Sequence, residues 1–374
     1  MDVVSPDSST YFLPHVDLQR LIDLFRQKDY QIVAPTVRDG AIVYDEIETT
    51  TQLPQGYRDT QSPGQYQLEH TSSSQFFAWA NGAQGLKPMH FAPKETLWKT
   101  QRNAQGTLEF CEVQAPVEKR AVLGVRACDL AALKIQDHIF LKDQTADPYY
   151  ANRRQELFLI AVNCNHPAET CFCASTGHGP SAQGYYDIAL TELMSGFIVH
   201  VGSKAGAEFI AQLDLSPPSD AQFYEAGNLA LAAGQAQTRK VDLERSRDVL
   251  SQALEHPQWE DIAQRCLSCA NCTMVCPTCF CHSEGDASNL RGSEVEHYRQ
   301  WDSCFTQGHS YIHGMTIRKE TQYRYRQWLT HKFSAWYEQF GTSGCVGCGR
   351  CITWCPSGID VTVELAVLCD EDKI

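Results

Sequence analysis

Eight cysteines stand in two copies of one pattern, Cys266-x2-Cys269-x2-Cys272-x3-Cys276-Pro277 and Cys345-x2-Cys348-x2-Cys351-x3-Cys355-Pro356. In bacterial ferredoxins this spacing holds a [4Fe–4S] cubane. Three closely spaced thiolates wrap one loop around three corners of the cube. The fourth, after a longer gap, leaves on an outgoing helix and points away, and in two-cluster ferredoxins it binds the other cluster. The sequence therefore assigns Cys266, Cys269, Cys272 and Cys355 to one cluster, and Cys345, Cys348, Cys351 and Cys276 to its neighbour. Each proline, with no N–H and a fixed φ, helps set the chain direction past its ligand. Zinc is the rival occupant, but four-cysteine zinc sites usually use two separated Cys-x2-Cys pairs, not a run closed by proline.

A second, more dispersed set lies upstream. Cys128 follows the apolar stretch AVLGVR and Cys164 follows LFLIAV. Were those stretches parallel neighbours, both thiols would sit at the carboxyl edge of an open sheet, where such sheets place their ligands. Cys171 and Cys173 in the next loop complete four sulfurs, with Asp129 as a possible oxygen ligand. The reading favoured is a third iron–sulfur cluster, over a redox or zinc site or four unliganded buried thiols. Cys279, Cys281 and Cys304 are read as structural or as neighbours of the clusters, and Cys111 and Cys369 as bystanders.

The elements that must position these residues fall into two parts. Residues 1–255 read as an α/β domain and 256–374 as a mainly helical ferredoxin-like domain carrying two [4Fe–4S] clusters. In the first part, 16–25 has helical periodicity. Residues 31–34 and 41–47 read as strands around a Pro/Asp/Gly turn. Residues 49–75 read as a long loop. Residues 121–126 form a strand feeding a helix, 157–162 form a strand buried on both faces, 188–193 and 197–201 are strand or helix, and 205–213 are helical. An Ala/Gln/Glu/Arg-rich helical stretch over 214–260 leads to the second part. There Tyr325, Trp328, Leu329, Phe333, Trp336, Tyr337 and Phe340 fall at helical spacing and read as core. Nearby Arg318, Lys319, Arg324, Arg326 and Lys332 read as the solvated side of that helix, with docking as the alternative.

Composition excludes several classes. Of 374 residues 43% are hydrophobic and 20% charged, an ordinary globular balance. A net charge of −14 argues against binding to nucleic acid or an anionic membrane. The N-terminal residues show no basic leader and no apolar segment of signal-peptide kind, and no apolar run is long enough to span a bilayer. A cytoplasmic location is expected. Twelve of the seventeen cysteines fall after residue 265 in a chain far larger than a disulfide-stapled domain, which favours metal ligands over bridges. Neither GxGxxG nor GxxxxGK[ST] occurs, so no dinucleotide or P-loop site is expected, and neither a nickel motif nor a histidine metal spacing is found. The sequence shows electron carriers and no substrate chemistry.

Both ferredoxin runs, VCPTCFC at 275–281, WDSC at 301–304, GVRACDLAAL at 124–133 and NCNHPAETCFC at 163–173 together resemble the β subunit of cytoplasmic NAD(P)-linked [NiFe] hydrogenases, the sulfhydrogenases. They are similar also to the electron-relaying iron–sulfur subunit of anaerobic sulfite reductase. The likeness covers most of the chain, including LPQGYRDTQSPGQYQLE and KPMHFAPKETLWK. It implies a non-catalytic subunit relaying single electrons between a flavoprotein that handles NAD(P)H and the small and large hydrogenase subunits. The alternative it implies is a relay to a sirohaem subunit.

Overall fold

A computed structural model describes residues 10–113, 118–142 and 145–370. The apolar run Leu157–Val162 is buried at every position and forms the central strand of a seven-stranded sheet. The strand order is Thr10–Pro14, Gly196–Val201, Ile188–Glu192, Leu157–Val162, Arg120–Val125, Gln31–Arg38 and Ala41–Glu46. Pairings among the four inner strands from Ile188–Glu192 to Gln31–Arg38 are parallel, and those toward both edges are antiparallel. Parallel strands need covered faces, which is why their sequences are nearly continuous in Val, Ile and Leu. The helix Leu18–Gln27 buries Leu18, Leu21, Ile22, Leu24 and Phe25 against the sheet, joining Phe158 and Phe209 in one core. Each such side chain contributes about 1.5–3 kcal/mol on full burial.

Several segments differ from their sequence reading. The first strand of the edge hairpin runs through Pro35 to Arg38, and Asp39 and Gly40, both with positive φ, make its turn. Its parallel pairing stops at Val33, before the proline that lacks a ladder donor. Residues 188–192 and 196–201 are both strands. The polar stretch 49–75 is not one long loop: it contains the hairpin Tyr57–Ser62 and Gln65–His70, turned at Pro63 and Gly64. The inward residues of its first strand are polar, and Asp59 and Gln61 are buried because they bond to Ala80 N and Asn81 O.

The second part is less helical than its periodicity suggests. Between the cysteine runs lie the strands His282–Ser288 and Glu294–Trp301, which join Lys94–Arg102 and Leu108–Glu112 in a four-stranded antiparallel sheet. This sheet draws strands from both sides of residue 255. Arg299 pins it by reaching Glu95 at 2.7 Å and also Asp147. Around the cysteine runs the core is helical and aromatic, with Trp259, Tyr325, Trp328, Leu329 and Phe333 buried together.

Candidate iron–sulfur centres

Each cysteine run folds as a tight loop followed by a short helix, Asn271–Met274 in the first and Arg350–Thr353 in the second. In both loops the third and fifth positions are left-handed: Ser268 and Ala270 at φ +51° and +66°, Gly347 and Gly349 at +66° and +73°. These turns aim backbone donors at sulfur. Ser268 N–H donates to Cys266 Sγ and Gly347 N–H to Cys345 Sγ, each at 3.4 Å, and Ile359 N–H donates to Cys355 Sγ at 3.4 Å. Hydrogen bonds to cluster sulfurs are one of the means by which proteins tune such groups.

Two neighbouring cavities lie between the loops. Cys266, Cys269, Cys272 and Cys355 wall the first, with Phe305 and Tyr325. Cys276, Cys345 and Cys348 wall the second, with Lys332 and Phe333. Cys351, Trp328 and Val361 border both. Among the described residues, no three Cys, His, Asp or Glu side chains are arranged to hold a single metal ion; the sulfurs surround spaces instead. All seventeen cysteines are free.

Burial keeps most of these thiols protonated when no metal binds them. It pushes Cys345 up to about 12 and raises Cys272 and Cys351 well above the ordinary thiol range. Cys276 goes the other way. A hydrogen bond from Cys279, then Lys332 acting against burial, hold it well below that range. Binding iron would release the protons of the others, since the ligand is the thiolate.

Lys332 is a correction to the sequence reading. Its side chain is not solvated; the residue is only 3% exposed, and Arg324, read the same way, is 6% exposed. Lys332 lies four residues after Trp328 and three after Leu329, on the apolar stripe itself, in a π turn over His331–Ala335. Its Nζ donates to Thr278 Oγ1 at 2.8 Å and to Gly344 O at 3.2 Å. Arg324 instead caps backbone carbonyls at Phe305, Arg318 and Lys319. A second buried lysine, Lys87, reaches Cys276 O at 3.4 Å and stacks over the Trp301 ring, and burial lowers it to about 8. The signal that marks Lys332 is its position in the helical period, not its residue type.

The upstream set converges on the same region. Arg120–Val125 and Leu157–Val162 are parallel neighbours, Cys128 lies in the first turn of the helix Ala127–Phe140, and Cys164 follows the second strand. Cys171 Sγ lies 3.7 Å from Cys348 O. Burial, then the neighbouring Cys173 and Cys164, raise Cys171 well above its ordinary range. Cys173 is pushed to about 12 by burial, then by Cys164, and accepts Gln237 Nε2 at 3.3 Å. Asn81 Nδ2 approaches Cys128 Sγ at 3.9 Å. Arg126, 1% exposed, bonds to the carbonyls of Phe77, Trp79, Val162 and Asn163, and its charge acts against burial on Cys164.

Asp129 is committed elsewhere. Its two oxygens accept Arg350 Nη1 and Nη2 at 2.8 Å each, and Asn81 Nδ2 at 2.7 Å. Both partners are fully enclosed, so the carboxylate neutralises a buried guanidinium and has little freedom to bind iron. The pair links the second cysteine run to the helix Ala127–Phe140. Cys281 and Cys304 lie near Lys332, Cys111 is on the strand Leu108–Glu112, and Cys369 is 4.0 Å from Ser246 Oγ.

The donor chemistry suits [4Fe–4S] groups: sulfur in fours, apolar walls, and amide donors at 3.4 Å. Residues 265–359 match the family model described as a 4Fe-4S dicluster domain, which sets the class as an iron–sulfur protein. A relative, sulfhydrogenase 2 subunit beta of Pyrococcus furiosus, is 33% identical over 282 residues, covering 73% of this chain and 79% of that subunit. The chain belongs to the sulfhydrogenase β-subunit family. No solved structure matches it. Among the described residues, no helix is long and apolar enough to cross a membrane.

Proposed function

We propose that this chain is the electron-relay subunit of a cytoplasmic hydrogenase complex. It passes single electrons between a flavoprotein subunit that handles NAD(P)H and the small and large subunits of a nickel–iron hydrogenase. The clusters supply reversible one-electron storage; the chain supplies their ligands, their spacing and their shielding from water. Cys266, Cys269, Cys272 and Cys355 hold one cluster, Cys276, Cys345, Cys348 and Cys351 the next, and Cys128, Cys164, Cys171 and Cys173 a third.

The observation that carries this reading is contiguity. Cys351, Trp328 and Val361 separate the first two cavities, and Cys348 O touches Cys171 of the third set. The order is therefore linear, with the Cys345 loop in the middle. Cys269 is the exposed cysteine and marks one end of the line. Anaerobically purified complex should contain about twelve irons for this chain, from three four-iron clusters, and Cys164→Ser should remove about four of them. Eight irons, unchanged by Cys164→Ser, would reduce the upstream half to a docking domain.

A further inference from the structure

Lys332 is buried and lines the second cavity together with Cys276, Cys345, Cys348 and Cys351. Its Nζ donates to Thr278 Oγ1 at 2.8 Å and to Gly344 O at 3.2 Å, and Thr278 Oγ1 lies 3.2 Å from the Cys276 sulfur. Thr278 and Gly344 are neutral, and the groups beside Lys332 that become negative when they bind metal are the thiols of Cys276 and Cys345 in the same cavity wall. An ammonium group removed from water needs an anion close by. The other buried cations here are satisfied differently. Arg350 has Asp129 and Arg126 has four backbone carbonyls, whereas Lys87, which lines neither cavity, bonds to Cys276 O, stacks over the Trp301 ring and also lies near Cys279 and Cys276. The first cavity has neither lysine nor arginine in its walls.

We infer that Lys332 is the counter-ion of the cluster held by Cys276, Cys345, Cys348 and Cys351, and makes that cluster easier to reduce than the one held by Cys266, Cys269, Cys272 and Cys355. This rests on the relay reading above. When an electron leaves a neighbouring cluster and enters this one, the donor is oxidised by one unit and the acceptor gains one negative charge. A fixed positive charge in a low-dielectric site stabilises that reduced state. Lys332 shares the cavity wall with the ligand cysteines and transfers nothing, so it is a positioning residue whose effect is a potential. In a three-cluster line an electron then rests on the middle cluster rather than on the one held by Cys266, Cys269, Cys272 and Cys355.

The test is a redox titration of the purified complex, followed by electron paramagnetic resonance and iron analysis, in wild type and in Lys332→Met, Lys332→Gln and Lys332→Arg. In the neutral variants one cluster should become harder to reduce, its reduced-to-oxidised ratio falling at least tenfold at a fixed potential, about 59 mV for one electron. The other clusters should not move, and Lys332→Arg should stay near wild type. If the neutral variants lose about four irons and Lys332→Arg keeps them, the counter-ion role is supported through assembly. Full iron with unmoved potentials in Lys332→Met and Lys332→Gln overturns the inference, as does loss of the cluster in all three variants. Wild-type complex whose chain holds no iron would instead overturn the relay reading itself.

Discussion

The two cysteine loops share a backbone and differ in what surrounds it. Both turn left-handed at the same two positions, and both direct an N–H at their first sulfur. Loop one uses Ser268 and Ala270 there, and loop two uses Gly347 and Gly349. The difference follows from neighbours. A Cβ on Gly347 would lie 2.6 Å from the Cys173 backbone, and one on Gly349 would lie 2.4 Å from Thr170 O. Loop two is pressed into the α/β half, where Phe172 N–H donates to Gly347 O at 2.8 Å and Arg350 grips Asp129. Loop one faces outward, with Cys269 exposed and Leu267 68% exposed. Cluster geometry dictates the backbone, and the environment selects the residue. Loop two is a junction with the α/β half, and loop one, facing outward, would be the outlet of the proposed relay.

The largest effect that would break this comparison is on ligand exchange between the loops. Cys276→Ser should cost about four irons and leave the same residual spectrum as Cys345→Ser, because both remove the junction cluster. A residual spectrum matching that of Cys266→Ser would show that each run keeps its own fourth ligand. Next in size is Arg350→Met. It strands the Asp129 carboxylate in the interior and should destabilise the chain by about 3–5 kcal/mol, read by chemical denaturation. A loss under about 1 kcal/mol would mean the pair does not weld the junction loop to the α/β half.

Gly349→Ala combines left-handed strain with a backbone clash and should lose about 2–4 kcal/mol in the same assay. The smallest effect belongs to the outlet loop. Ala270→Gly relieves the strain at φ +66° against a somewhat larger chain entropy, and should be neutral or stabilising by up to about 1 kcal/mol. If both glycine-site changes shift thermal unfolding equally and in the same direction, the two loops are not in different environments.

What was legible in the sequence was local. The cysteine spacing reflects the corners of one cube, and the buried strands Arg120–Val125 and Leu157–Val162 reflect a parallel sheet covered on both faces. The aromatic stripe from Tyr325 to Trp336 marked the core beside the cavities by its period alone. The hairpin Tyr57–Ser62 and Gln65–His70 was hidden because the buried side chains of its first strand are polar, and partners such as Ala80 N–H and Asn81 O make Asp59 and Gln61 acceptable inside. The four-stranded sheet was hidden because Glu95 and Arg299 meet across a separation of 204 residues. Charge misled at Lys332 and Asp129, which read as a solvated base and a spare ligand until their partners Thr278, Gly344 and Arg350 arrived from elsewhere in the chain. Spacing along the chain can state what a loop is built to hold. Whether a charge faces water, a sulfur or an opposite charge depends on groups distant in sequence, and only packing brings those together.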